Sequence, residues 1–318
     1  MTPILRAVVV ALVCVLLVGS GRAEAARKLV VGANIHAILN DIYSGQIENA
    51  RKKSVELQEK NPEDPLGYLL EAEAEWWQIW CTSAEFKYGM TMARHHEKNP
   101  GDEHYFALTK RAYKLAEAGI SEQNSGEMHL YAAMADALAA RLYAMRSEYR
   151  ASAHAGVRAR EHFITALKLD PTLTDAYTGL GLYNYYVDTL SAIARVLRVL
   201  MGIPGGSKQE GILQLEKGMR EGQLSASLAR FYLALNLFNY DQKYERALEV
   251  IAPLAEKYPG NPVFQLMRGD LNAKLQRRDL AEASYRAAET AANELGDPEC
   301  RAKMRRLAQE SMEALRRK

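Results

Sequence analysis

Three stretches of this 318-residue chain hold side chains that could do chemistry. Ile203-Pro204-Gly205-Gly206-Ser207-Lys208 has the glycines, serine and lysine of a phosphate cradle, but the GxxxxGK[ST] spacing is absent and no strand pattern leads into it. Ser207 followed by Glu210 reads instead as a capping box, in which each side chain accepts an orphan backbone N–H at a helix start. His95, His96 and His104 flank Glu97, Asp102 and Glu103, and imidazoles beside carboxylates are a zinc or copper donor set. There is no HExxH and no paired-cysteine spacing, and Lys98 to Gly101 reads as a turn, so a solvated turn is expected here. No serine has a GxSxG setting and no nucleophile stands beside a base. The chain is therefore expected not to be an enzyme, with no catalytic or metal-ligating residues and no cofactor.

The third stretch is aromatic. All three tryptophans fall in Trp76-Trp77-Gln78-Ile79-Trp80, with Trp76 and Trp77 standing 14 and 15 residues after Pro62. Tyr185 and Tyr186 stand at the same offsets after Pro171. Adjacent helical residues point about 100° apart, so one member of each pair must face inward. The other could line a binding groove, because aromatic anchors supply much of the energy at interfaces. Core packing of both pairs is the competing reading.

The elements that would position these residues read as helices. Alanine, leucine, glutamate, lysine and arginine dominate, and β-branched runs are scarce beyond the first residues. The pattern predicts helices over 33–60 (broken near Gly45), 65–98, 104–119, 125–148, 151–169, 174–200, 208–221, 225–240, 243–257, 262–276, 279–295 and 298–317. Ala50, Ser54, Leu57 and Pro62 stand at offsets 0, 4, 7 and 12. So do Ala159, Phe163, Ala166 and Pro171, and again Ala247, Ile251, Leu254 and Pro259. The first three of each set share a helical face, and the proline stops the helix. Weaker sets surround Ala84 with Tyr88 and Ala283 with Ala287, and Gly181 is a small residue that lets two helices approach.

At these residues the chain resembles the tetratricopeptide repeat (TPR) family, whose 34-residue unit is a helix hairpin. The resemblance is clearest around 33–62, 151–185 and 228–259 and is poor over 101–158 and 188–225. It implies an all-α, right-handed superhelical solenoid of antiparallel helix pairs with a concave groove for a protein or peptide, lined here by Trp76, Trp77, Tyr185 and Tyr186. It implies no chemistry.

Arg6, the apolar run Ala7–Val18 and Ala23-Glu24-Ala25 have the layout of a secretory signal peptide cleaved after Ala25. Twelve apolar residues fall short of the about 20 that span a bilayer, so no stable transmembrane span is expected after cleavage. Residues 26–318 are expected to form one repeat array in the periplasm or outside the cell, closed by a basic capping helix over 298–317 with a solvated outer face. Removal of 1–25 leaves 39 basic and 38 acidic residues, which gives no case for nucleic acid. Cys81 and Cys300 then remain, and they are expected to stay unbridged, since each repeat of a solenoid touches only its neighbours. The function expected is recognition of a protein or peptide partner. The alternative is a small-ligand or metal-binding protein, or an accessory subunit of an envelope enzyme, with Tyr177, Tyr185, Trp76 and the His95 region near a pocket.

Overall fold

The computed structural model describes residues 29, 31–82 and 98–317. The signal-peptide reading lies outside these residues, as do Ala84, Tyr88, His95, His96 and Glu97. Fourteen helices account for most of the described chain. In order they are α1 (Ala33–Tyr43), α2 (Ile47–Lys60), α3 (Pro65–Thr82), α4 (Gly101–Glu122), α5 (Gly126–Met145), α6 (Tyr149–Leu169), α7 (Ala176–Asp188), α8 (Ala192–Leu200), α9 (Lys208–Glu221), α10 (Ala226–Asn239), α11 (Tyr244–Lys257), α12 (Pro262–Lys274), α13 (Arg278–Asn293) and α14 (Pro298–Arg316). No strand occurs among the described residues.

Apart from α8, each helix packs on its neighbours in order, giving hairpins α1/α2, α3/α4, α5/α6, α7/α9, α10/α11 and α12/α13 with α14 as the last element. This is an all-α helical solenoid. The 0, 4, 7 pattern recurs in the second helix of every hairpin. Beside the three sets read from the sequence stand Ala112, Ala116 and Gly119 in α4, Gly211, Leu215 and Gly218 in α9, and Ala281, Tyr285 and Ala288 in α13. The register expected at Ala283 and Ala287 is therefore two residues late: Ala283 is exposed, whereas Ala281 and Tyr285 are buried. Spacing from one set to the next is 34 residues between Ala247 and Ala281 but 62 between Ala50 and Ala112, because insertions separate the helices.

A shared turn marks four of the hairpins. Gly45, Ser147, Gln242 and Gln276 adopt left-handed φ values of 81°, 59°, 53° and 60°. Each precedes an N-cap residue, Gln46, Glu148, Lys243 or Arg277, with φ between −81° and −90°. A side chain costs roughly 1–2 kcal/mol in this conformation, so only Gly45 adopts it freely. Between α7 and α9 the small residues matter for a different reason. A Cβ on Gly211 would stand 2.7 Å from the Gly181 carbonyl oxygen, so the two helices cross backbone to backbone.

The segment expected as one helix over 174–200 is two. Ser191 caps α8 by accepting from the Ala194 N–H at 3.3 Å, and a serine that satisfies an orphan donor favours a new start over continuation. Ser207 likewise accepts from the Glu210 N–H at 3.3 Å, while the Glu210 carboxylate accepts from Gln214 Nε2 at 3.1 Å.

The largest departure is that the array closes on itself. Cys81 at the end of α3 and Cys300 at the start of α14 form a disulfide across 219 residues of sequence, against the expectation of unbridged cysteines. Lys303 of α14, expected on a solvated face, is buried, and its Nζ donates to the Cys81 carbonyl at 2.9 Å. The other end of α1 joins the closure: Tyr258 Oη donates to Asn40 Oδ1 at 3.1 Å and Asn261 Nδ2 to the Tyr43 carbonyl at 2.9 Å. The nearest-neighbour rule failed because the superhelix curves far enough for its first and last hairpins to meet around α3.

Candidate inner-face site

The inner face is built from the first helices of the hairpins, with α3 at its centre. Helix α3 reads Pro65-Leu-Gly-Tyr-Leu-Leu-Glu-Ala-Glu-Ala-Glu-Trp-Trp-Gln-Ile-Trp-Cys-Thr82 and is buried on nearly every side, because α1, α2, α4, α5 and α14 surround it. That burial decides the fate of the expected groove aromatics. Trp76 is 2% exposed, under the Arg141 guanidinium at 4.1 Å from the ring centre. Trp77 packs on Tyr43, Trp80, Phe231 and Phe264 at ring separations of 5.3–6.1 Å. Tyr185 is fully buried, with its hydroxyl donating to Asp241 Oδ1 at 3.1 Å. These three are core residues and not groove anchors: Tyr105 of α4 and Arg141 of α5 cover Trp76, Phe231 of α10 and Phe264 of α12 cover Trp77, and Tyr240 and Asp241 after α10 cover Tyr185. Tyr186 alone of the four is half-buried, with its ring against Tyr185 and Tyr240.

One apolar cavity here measures about 100 Å³, and a second, of about 210 Å³, lies beside Trp77, Trp80 and the Cys81–Cys300 bridge. Leu39, Leu69, Leu70, Leu138, Phe163, Leu182, Leu224 and Leu228 make the wall of the first largely apolar, and Met134, Leu182 and Leu228 are half-buried at it. Its polar groups are few and mostly engaged. Glu73 Oε2 accepts from Arg141 Nη2 at 2.6 Å and Glu73 Oε1 from Trp77 Nε1 at 3.1 Å. Both ions are buried, so the pair is held by geometry and by the stacking of Arg141 on Trp76 rather than by solvent. Arg141 Nε alone of this group has no hydrogen-bond partner. Burial pushes the Tyr43 and Tyr232 phenols up, so both stay protonated and neutral at the wall. Asp175 Oδ1 accepts from the Leu224 and Ser225 N–H groups at 2.9 and 2.8 Å, fixing the turn into α10. The site thus offers an apolar slot with no net charge from its ion pair, since the unpaired Arg141 Nε is itself buried.

No family model and no curated protein matches this chain. Among solved structures the crystal structure of yeast Tom70 is similar over 89% of this chain and 77% of its own, at 12% identity and a TM-score of 0.34. At that distance the likeness decides nothing further, and the fold rests on the helix packing described above.

Of the histidines weighed as metal ligands, His104 lies within the described residues. His104 Nε2 lies 3.1 Å from Glu71 Oε1, and Asp102 binds Arg146 through both oxygens at 2.6 and 2.7 Å. No group of three or more potential metal ligands is gathered among the described residues. One pair escaped the sequence reading: His129 Nδ1 and His162 Nδ1 are 2.8 Å apart across α5 and α6, and His129 Nε2 contacts Asn124 Oδ1 at 2.7 Å. Burial, and then His162, lowers the His129 pKa. Arg141 and Glu73 were missed too, since Arg141 is the one arginine in the Ala-rich α5 and no local spacing ties it to Glu73, 68 residues away in sequence.

Proposed function

We propose that the chain is an exported binding scaffold, not an enzyme, that recognises a protein or peptide segment at the inner face of its closed helix array. The observation that supports this most is the apolar cavity beside Leu182 and Leu228, whose ion pair is already matched and so leaves room for an uncharged side chain. Apolar anchors in desolvated pockets carry most of the energy of protein recognition. An uncharged side chain such as leucine or phenylalanine would enter the slot. Export follows on the reading of residues 1–25 as a signal peptide, and N-terminal sequencing of the mature protein should find Ala26 first.

The test is affinity capture from the native envelope with mass spectrometry, comparing wild type with Leu182→Asp and Leu228→Asp. Both positions are half-buried, so the fold should survive, and melting curves verify that. A protein captured by wild type and lost from both variants supports the proposal. The same set captured by all three overturns it.

A further inference from the structure

Helix α8 is inserted between the two helices of the fourth hairpin and packs on no other described helix to the extent that its neighbours pack on one another. Its sequence, Ala-Ile-Ala-Arg-Val-Leu-Arg-Val-Leu, is strongly amphipathic. An inserted helix of that kind ordinarily turns its apolar stripe to the body of the protein. Here the stripe faces out. Leu200 is 77% and Val199 65% exposed, and Val196, Leu197 and Met201 are exposed beside them. The side turned towards the body carries Ala194 and Arg198, and Arg198 Nη1 donates to the Ile203 carbonyl at 2.9 Å. The loop behind is held by Tyr183, whose hydroxyl donates to the Pro204 carbonyl at 2.9 Å while Arg160 stacks 5.5 Å from its ring centre. The outward stripe is therefore anchored in place.

We infer that α8 is a membrane-surface foot that seats its Val196, Val199 and Leu200 face in the interface of an anionic lipid bilayer. Charge supports lipid as the occupant: residues 189–209 carry no carboxylate, and Arg195 is exposed beside the stripe, while Arg198 is turned to the body and Lys208 is paired with Asp241. A short helix with an apolar face and an exposed arginine beside it matches the composition that lies in the headgroup region, where a cation adds attraction to anionic lipids. Size argues against a second copy or another protein, because a standard interface takes about 20–30 residues a side and the stripe offers five. The surface is separate from the inner-face cavity, which α8 does not line.

The experiment places a reporter on the stripe of the full chain. Trp76, Trp77 and Trp80 are buried, so Leu200→Trp adds an exposed indole whose emission can be separated from theirs. Vesicles rich in phosphatidylglycerol, carrying brominated acyl chains, should shift that emission to the blue and quench it, and pure phosphatidylcholine vesicles should do so much less. Adding Val196→Asp and Val199→Asp should cut the quenching at least about tenfold, and Arg195→Glu should reduce it by less, as expected when apolar burial dominates and charge assists. The readout is local to α8, so attachment through any other segment does not produce it. Absence of quenching by anionic vesicles, equal quenching in the doubly acidic variant, or a blue shift that grows with protein concentration without lipid would each overturn the inference, the last by making the stripe a self-association surface.

Discussion

Two helical glycines, Gly156 in α6 and Gly211 at the backbone-to-backbone crossing of α7 and α9, should respond to alanine in opposite directions. In a helix interior, glycine to alanine gains about 1 kcal/mol from the reduced backbone entropy of the unfolded chain. At Gly156 in α6 that gain is unopposed, because an added Cβ meets only Tyr183 Cδ2 at 4.0 Å, an ordinary contact distance. At Gly211 the same carbon would stand 2.7 Å from both the Gly181 carbonyl oxygen and the Tyr185 backbone nitrogen. Neither neighbour is a flexible side chain, so α7 and α9 must move apart, and overpacking of this kind costs about 1–3 kcal/mol. Backbone on both sides puts the cost at the upper end, leaving Gly211→Ala about 1–2 kcal/mol less stable than wild type after the propensity gain. Gly156→Ala should be about 1 kcal/mol more stable. Urea unfolding followed by circular dichroism, under oxidising conditions, should move the two midpoints in opposite directions. If Gly211→Ala is as stable as Gly156→Ala, the close crossing is wrong, and so is the assignment of Gly211, Leu215 and Gly218 as a repeat face.

Three further outcomes follow from the closure and the buried polar groups. Cys300→Ser, or reduction of the wild type, should lower stability by roughly 2–5 kcal/mol, because the bond closes a loop of 219 residues; equal midpoints with and without reductant would refute a native bridge. Arg141→Leu should cost about 3–5 kcal/mol by leaving Glu73 charged and unpaired in the core, and Arg141→Lys should recover part of this in a thermal melt. His129 has a folded pKa below its unfolded value of about 6.5. The unfolded chain therefore binds more protons below that pH, and stability falls as pH drops through it. His129→Gln should flatten the difference between melting temperatures at about pH 7.5 and about pH 5.5.

Helix content and half of the repeat register were legible in the sequence because three hairpins place alanine, a large residue and proline at fixed offsets, which only one packing arrangement satisfies. The fourth escaped notice because its packing face uses Gly211 and Gly218, residues that ordinarily argue against a helix, and because α8 interrupts it. Gly269 anchored the α13 register all along: it packs on Tyr285, not on Ala283. The aromatic offsets were real, yet offset from a proline fixes only which helix face a residue takes. Whether that face meets solvent depends on how far the array curves, and the contact of α14 with α3 is set by the sum of many small inter-hairpin rotations that no local pattern encodes. The disulfide and the burial of Trp77 under Phe231 and Phe264 both follow from that curvature.

The inner-face reading is tested most directly by site-specific photo-crosslinking in the native envelope, with the photoreactive side chain placed at Leu228 or at Leu280 on the outer face of α13. Leu228 lines the cavity, whereas Leu280 is exposed and lies away from it. A discrete protein adduct from Leu228 and none from Leu280 is the expected result. An adduct from Leu280 with none from Leu228 would contradict the proposal that partners are received inside the array.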